Sequence, residues 1–226
     1  MSGVLAAHQP NYAPYPGILH KAAQADVFVV QDDLKYIKND YGNRNRVQSE
    51  DTWRWLTIPV HADNSSLFNT ATAADPRWGA SHANILRAKY RTARHFDRLL
   101  PYLEHLAGER SAVLSQINFA LLTKLLAEFE IATPVVLQSD LELGPFENPN
   151  DRLIALCHRF DCDTYVSGLG GRAYIEEDRW VGSGVTLTWS DYEAVRYDRG
   201  DAPWEPNLSA FDAIAHADEP ASLIPN

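Results

Sequence analysis

Two short apolar runs, Val4-Leu5-Ala6-Ala7 and Val27-Phe28-Val29-Val30, frame a stretch at residues 17–25 that reads as a helix with Pro16 near its first turn. A strand-helix-strand unit of this length makes the two strands parallel, because antiparallel neighbours need only a tight turn. Neither run carries a polar residue, as expected of strands buried on both faces.

The remaining periodicities extend that beginning. Trp55-Leu56-Thr57-Ile58-Pro59-Val60 reads as a further strand with Pro59 near its end, and residues 63–75 as a polar loop. From Trp78 to Ile131 the period becomes helical, with Leu114, Ile117, Leu121, Leu125 and Phe129 on one face, and Pro101 and Gly108 divide this stretch into three helices. Strands at residues 134–137, 164–166 and 185–189 then alternate with a helix at residues 150–160. The expectation is an α/β fold: a mainly parallel sheet covered by helices, with a helical insertion at about residues 78–131, in one domain spanning residues 1–226. With 45% hydrophobic and 11% aromatic residues, the chain can fill such a core. The segment after Ala202, rich in Pro, Asp and Ala, reads as a tail wrapped over the domain.

Several function classes recede on composition. A formal charge of -10 argues against a nucleic-acid partner, since phosphate binding leans on dense Lys and Arg. No apolar stretch approaches a membrane span, and the first ten residues lack both a basic and a long apolar region, so the expectation is a cytoplasmic protein. Cys157 and Cys162 fit neither a disulfide framework nor a zinc knuckle and read as reduced core thiols. No Gly-x-Ser-x-Gly elbow or His-Glu-x-x-His pair is present, and no metal and no cofactor are expected.

Ligands of open parallel sheets bind outside the carboxyl ends of the strands, and here those ends are polar. The first strand runs into His8-Gln9-Pro10-Asn11-Tyr12, the second into Gln31-Asp32-Asp33, and later ones into Gln138-Ser139-Asp140, Ser167-Gly168 and Ser190-Asp191. His8, which titrates nearest neutrality, is the candidate general base; Asp32 or Asp33 would orient it or hold a substrate amine. In Asn43-Arg44-Asn45-Arg46, extended alternation puts both Arg on one side, where they suit capture of a carboxylate or phosphate. Gly168-Leu169-Gly170-Gly171, after a strand, could let backbone amides approach an anion.

The segments His8-Gln9-Pro10-x-Tyr12, Pro14-Tyr15-x-Gly17, Lys21, Asp32-Asp33, Tyr36, Asn43-Arg44-Asn45-Arg46-Val47, residues 55–60, Asp163-Thr164-Tyr165-x-Ser167-Gly168 and Pro206-Asn207-Leu208-Ser209 come in an order that resembles the WbqC-like family over nearly the whole chain. The resemblance departs at residues 212–216, where Asp-Ala-Ile-Ala-His replaces the family's Asp-Leu-Leu-Phe-Asn ending. It implies a biosynthetic role beside surface-polysaccharide or specialised-metabolite pathways, with glycine or aminoacyl transfer as the suggested chemistry. On that resemblance Gln9, Tyr12, Lys21, Tyr36, Asn43, Arg44, Asn45, Arg46, Ser167, Gly168, Asn207 and Ser209 are substrate-binding candidates beside His8, Asp32 and Asp33. The leading expectation is a transferase acting on a small-molecule acceptor, with a carrier-protein thioester as one donor. The alternatives are adenylyl transfer and a non-catalytic binding or scaffold protein.

Overall fold

The computed structural model describes residues 3–50, 52–63 and 65–225. Along the chain run β1 (Gly3–His8), α1 (Pro16–Ala23), β2 (Val27–Val30), β3 (Arg44–Gln48), β4 (Trp53–Thr57), β5 (Val60–His61), β6 (Thr72–Ala73), α2 (Trp78–Tyr90), α3 (Leu100–Gly108), α4 (Leu114–Glu128), β7 (Val135–Leu137), α5 (Pro149–Arg159), β8 (Cys162–Gly168), β9 (Thr186–Ser190) and α6 (Ala210–His216).

Among the described residues the main sheet has the order β7-β2-β1-β8-β9, with every pairing parallel. The protein is thus an α/β fold around a central parallel sheet. Both faces of that sheet are buried, as the unbroken apolar runs require. Ala6, Phe28 and Val30 face one cluster with Leu19 of α1, while Leu5, Ala7, Val27 and Val29 face another with Leu153, Leu156 and Cys157 of α5. Helices α1 and α5 therefore cover opposite faces. Chain direction across the sheet reverses at β1: one connection leads outward to β2, and β8 later returns on the other flank. The carboxyl ends of β1 and β8 form the reversal point at which such folds take ligands.

Residues between β2 and β7 make a long excursion that contains the three expected helices, and Leu114, Ile117, Leu121, Leu125 and Phe129 are all buried as one face. The excursion also holds something the single expected strand at residues 55–60 does not describe. Pro59 has no N–H to give a ladder, and the segment splits into β4, antiparallel to β3, and β5, antiparallel to β6, both outside the main sheet. Helices α2 and α3 pack so closely that a Cβ on Gly79 would collide with the Leu106 carbonyl oxygen. Gly79→Ala should therefore destabilise the protein by about 1–3 kcal/mol, the range for overpacking against backbone. Urea unfolding that leaves the midpoint of this variant unchanged would show that the helix pair separates freely.

Helix α6, within the segment after Ala202, is core. Ala210, Phe211, Ala213, Ile214 and Ala215 are fully buried in α6, which corrects the expectation of a surface wrap. Its polar members are also buried, because they are paired. Arg199 and Asp212, both with 0% side-chain exposure, meet through Nε–Oδ2 at 2.9 Å and Nη2–Oδ1 at 3.0 Å, and Tyr90 and Tyr197 donate hydroxyls to the same carboxylate. Cys157 and Cys162 are free and buried, and burial pushes the Cys157 thiol up to about 12.

Candidate functional site

A crevice of two lobes opens at the reversal point. His8 and Gln9 at the end of β1, Lys21 of α1, and Gly168 and Gly170 at the end of β8 line both lobes and form the waist between them. The first lobe, about 440 Å³, is completed by Gln31, Phe146, Glu147, Arg152, Leu153 and Tyr174. The second, about 330 Å³, is completed by Asn11, Tyr15, Gly17, Tyr41, Ser190 and Tyr192. Gly17 is required there: a Cβ would overlap the rings of Tyr15 and Tyr192.

Two titratable groups meet at the waist. Lys21 is 4% exposed and its Nζ donates to the Ala7 carbonyl at 2.6 Å, 5.8 Å from the Tyr165 ring centre. Burial disfavours the ammonium form and brings its pKa down to about 7, against an ordinary 10.5. His8 Nδ1 lies 2.9 Å from the Gln9 carbonyl, which can only accept. The proton therefore sits on Nδ1, and Nε2 keeps its lone pair. Burial first, and then the nearby Lys21, lower the His8 pKa to about 4. His8 is thus neutral at physiological pH and a weak base, whereas Lys21 is half-deprotonated near neutrality. Of the two, Lys21 rather than His8, the candidate on sequence, has the environment that suits proton acceptance near neutrality.

The aspartates do not orient His8. Asp32, 1% exposed, accepts from the Ser139 amide at 2.9 Å and the Ser139 hydroxyl at 2.8 Å, tying the end of β2 to the turn after β7. Asp33 accepts from Gln138 Nε2 at 2.6 and 2.8 Å, and Gln138 in turn accepts from Gln31 at 2.9 Å. This chain of amides fixes Gln31 in the wall of the first lobe.

Other sequence candidates hold the scaffold. Tyr12 is fully buried with its hydroxyl 2.7 Å from His82 Nδ1, and Tyr36 packs edge-on against Phe68. Asn43 donates to the Ile58 carbonyl at 2.8 Å, and Asn45 to the Tyr12 and Ala13 carbonyls at 3.2 and 2.8 Å. Arg44 and Arg46 do share one face of β3, yet neither lines the crevice. Arg44 stacks on Trp55 with its guanidinium carbon 4.0 Å from the ring centre and donates to the Asn39 carbonyl. Arg46 pairs with Glu205 at 3.0 Å and donates to the Pro206 and Asn207 carbonyls. An anion clamp at this pair is corrected by those partners: Arg46 fastens the C-terminal segment. Asn207 contributes a carbonyl to that fastening at φ 57°, and Ser209 caps α6 by accepting from the Phe211 amide. The Ser167 hydroxyl donates to the Gly168 carbonyl at 3.1 Å.

The sequence reading missed Arg152, Tyr174, Tyr15 and Tyr192. The aromatic residues lie in loops or turns without period, and Arg152 is one of several polar residues on α5. Among the described residues no group of three or more His, Cys, Asp or Glu could hold a metal ion, and no helix is long and apolar enough to cross a membrane.

The sequence pattern of the WbqC-like protein family matches residues 9–222. An uncharacterized protein of Mycobacterium tuberculosis, Rv1507c, is 29% identical over 214 residues, covering 93% of this chain and 92% of that one. No solved structure gives a significant match.

Proposed function

The chain belongs to the WbqC-like protein family, and from that premise we propose that it is a biosynthetic transferase that moves an acyl or aminoacyl group, such as glycyl, from a thioester donor onto an amine or hydroxyl. The observation that carries this reading is the two-lobed crevice with Lys21 and His8 at its waist. A transferase must bring two substrates together at one proton-moving group, and two lobes that share a buried amine provide that arrangement.

The acceptor N–H or O–H gives its proton to neutral Lys21 Nζ as the acceptor atom bonds to the acyl carbon. The tetrahedral intermediate collapses, the C–S bond breaks, and the leaving thiolate takes the proton back from the Lys21 ammonium. When the acceptor is an amine, His8 Nε2, an acceptor without charge, holds its remaining N–H. A carrier-borne thioester suits a crevice that is open at its rim, where Tyr174 is 46% and Leu169 51% exposed.

Incubation with glycyl- and acyl-N-acetylcysteamine thioesters and a panel of amino sugars and amines tests the reading. Acceptor-dependent thiol release, with the acylated product seen by mass spectrometry, is expected. If such thioesters, free or carrier-borne, are never consumed while an unaltered intermediate binds the crevice, the protein is a scaffold and the transfer reading is lost.

A further inference from the structure

The first lobe contains a cation whose side chain no acceptor within hydrogen-bond distance holds among the described residues. Arg152 Nε and Nη1 are shielded from solvent and have no hydrogen-bond partner among the described residues. Its side chain is 19% exposed and lies on the crevice wall beside Gln31 and Tyr174. The carboxylate nearest to it is Asp33, whose Oδ1 is 3.9 Å from Nη1, too far for a hydrogen bond; both Asp33 oxygens already accept from Gln138. Two buried donors of a permanent cation without acceptors are costly, and such a cost persists where a ligand supplies the acceptors. Arg44 and Arg46 also leave Nε without a partner, but the terminal nitrogens of Arg46 are occupied by Glu205, Pro206 and Asn207, whereas no side-chain nitrogen of Arg152 has an acceptor within hydrogen-bond distance among the described residues.

We infer that Arg152 is an anion-anchoring residue of the crevice, binding a carboxylate or phosphate group of one substrate through its guanidinium. A guanidinium presents parallel N–H donors along two edges, Nε with Nη2 and Nη1 with Nη2, and either edge matches the two oxygens of such a group. The inference assigns the polarity of the crevice: the anionic end of a substrate lies in the Arg152 lobe, and the reacting end reaches Lys21 at the waist. The second lobe, walled by Tyr15, Tyr41 and Tyr192, is left for the other substrate. It deepens the transfer reading, but its test needs no turnover and stands or falls separately.

Thermal shift and calorimetric titration of the full chain with acetate, inorganic phosphate and neutral acetamide, at constant ionic strength, decide it. Saturable binding of acetate but not acetamide would mark a carboxylate-bearing substrate, and binding of phosphate a phosphorylated one. Arg152→Gln should weaken that binding roughly ten- to a hundredfold, the scale of lost charge-assisted hydrogen bonds. Arg152→Lys, which keeps the charge and loses the fork, should weaken it as well, and Arg46→Gln should not. Arg152→Lys also serves if the Gln variant does not fold. Absence of saturable binding by either anion, equal binding of acetamide, or unchanged affinity in Arg152→Lys overturns the inference.

Discussion

Asp212→Ala should lower the stability of the protein by about 3–5 kcal/mol, the cost of leaving one half of a buried ion pair without the other. The carboxylate accepts four hydrogen bonds, from Arg199 Nε and Nη2 and from the hydroxyls of Tyr90 and Tyr197. Removing it strands a guanidinium with 0% side-chain exposure and leaves two phenols without that acceptor. The three donors come from α2 and from the segment before α6, so the loss spreads beyond α6. Urea denaturation of wild type, Asp212→Ala and the double variant Asp212→Leu/Arg199→Met measures it. The double variant should recover much of the loss, because it removes the stranded charge along with its partner. A single variant within 1 kcal/mol of wild type would mean that solvent reaches this site.

Lys21→Met should separate activity from stability. If Lys21 moves the proton, turnover falls by about 10²- to 10⁴-fold, and the wild-type rate rises with pH through about 7, where the buried amine loses its proton. The substitution should raise stability while it lowers activity. The folded-state pKa lies below the ordinary 10.5, so between about 7 and 10.5 the unfolded chain binds more protons than the folded one, and wild-type stability rises with pH across that window. Below it, folding bears the full cost of burying the ammonium. Lys21→Met, free of that cost, should melt above wild type near pH 6, with the margin shrinking towards pH 9. A variant that turns over normally, or that melts below wild type at both pH values, would remove Lys21 from the mechanism.

One side of the sheet was legible in the sequence because β1, β2 and β7 obey one simple rule: an apolar run with polar residues where it ends. His8, Gln9 and Gln31 followed from that rule directly. The β3 alternation was legible too, with Asn45 and Val47 inward and Arg44 and Arg46 outward. What occupies the outward face was not. Trp53 and Trp55 are a strand away, and Glu205 is 159 residues from Arg46. Alternation gives direction but no partner. Arg152 was illegible for the complementary reason. A polar residue near the start of a helix is ordinarily solvated, and only the fold reveals that α5 starts beside the crevice. The C-terminal segment was misjudged because polar residues that pair with one another, such as Arg199 and Asp212, look like surface when counted singly.

β1 lies at the middle of the sheet, yet its two neighbours come from far apart in the sequence. β2 follows directly after α1, whereas the Tyr165 hydroxyl that meets the Ala7 carbonyl belongs to a residue 158 positions further on. A ribosome adds about 5–20 residues per second, so β8 emerges on the order of ten seconds or more after β1. Throughout that interval the flank of β1 that β8 will cover offers unpaired backbone groups between apolar side chains, an edge suited to pairing with a neighbouring nascent chain. The crevice keeps the same schedule: His8 and Lys21 are made early, but the wall opposite them, at Gly168 and Gly170, is among the later parts of the chain to be synthesised. A half-made chain therefore presents the Lys21 amine without a pocket around it, and the crevice cannot form until translation has passed β8.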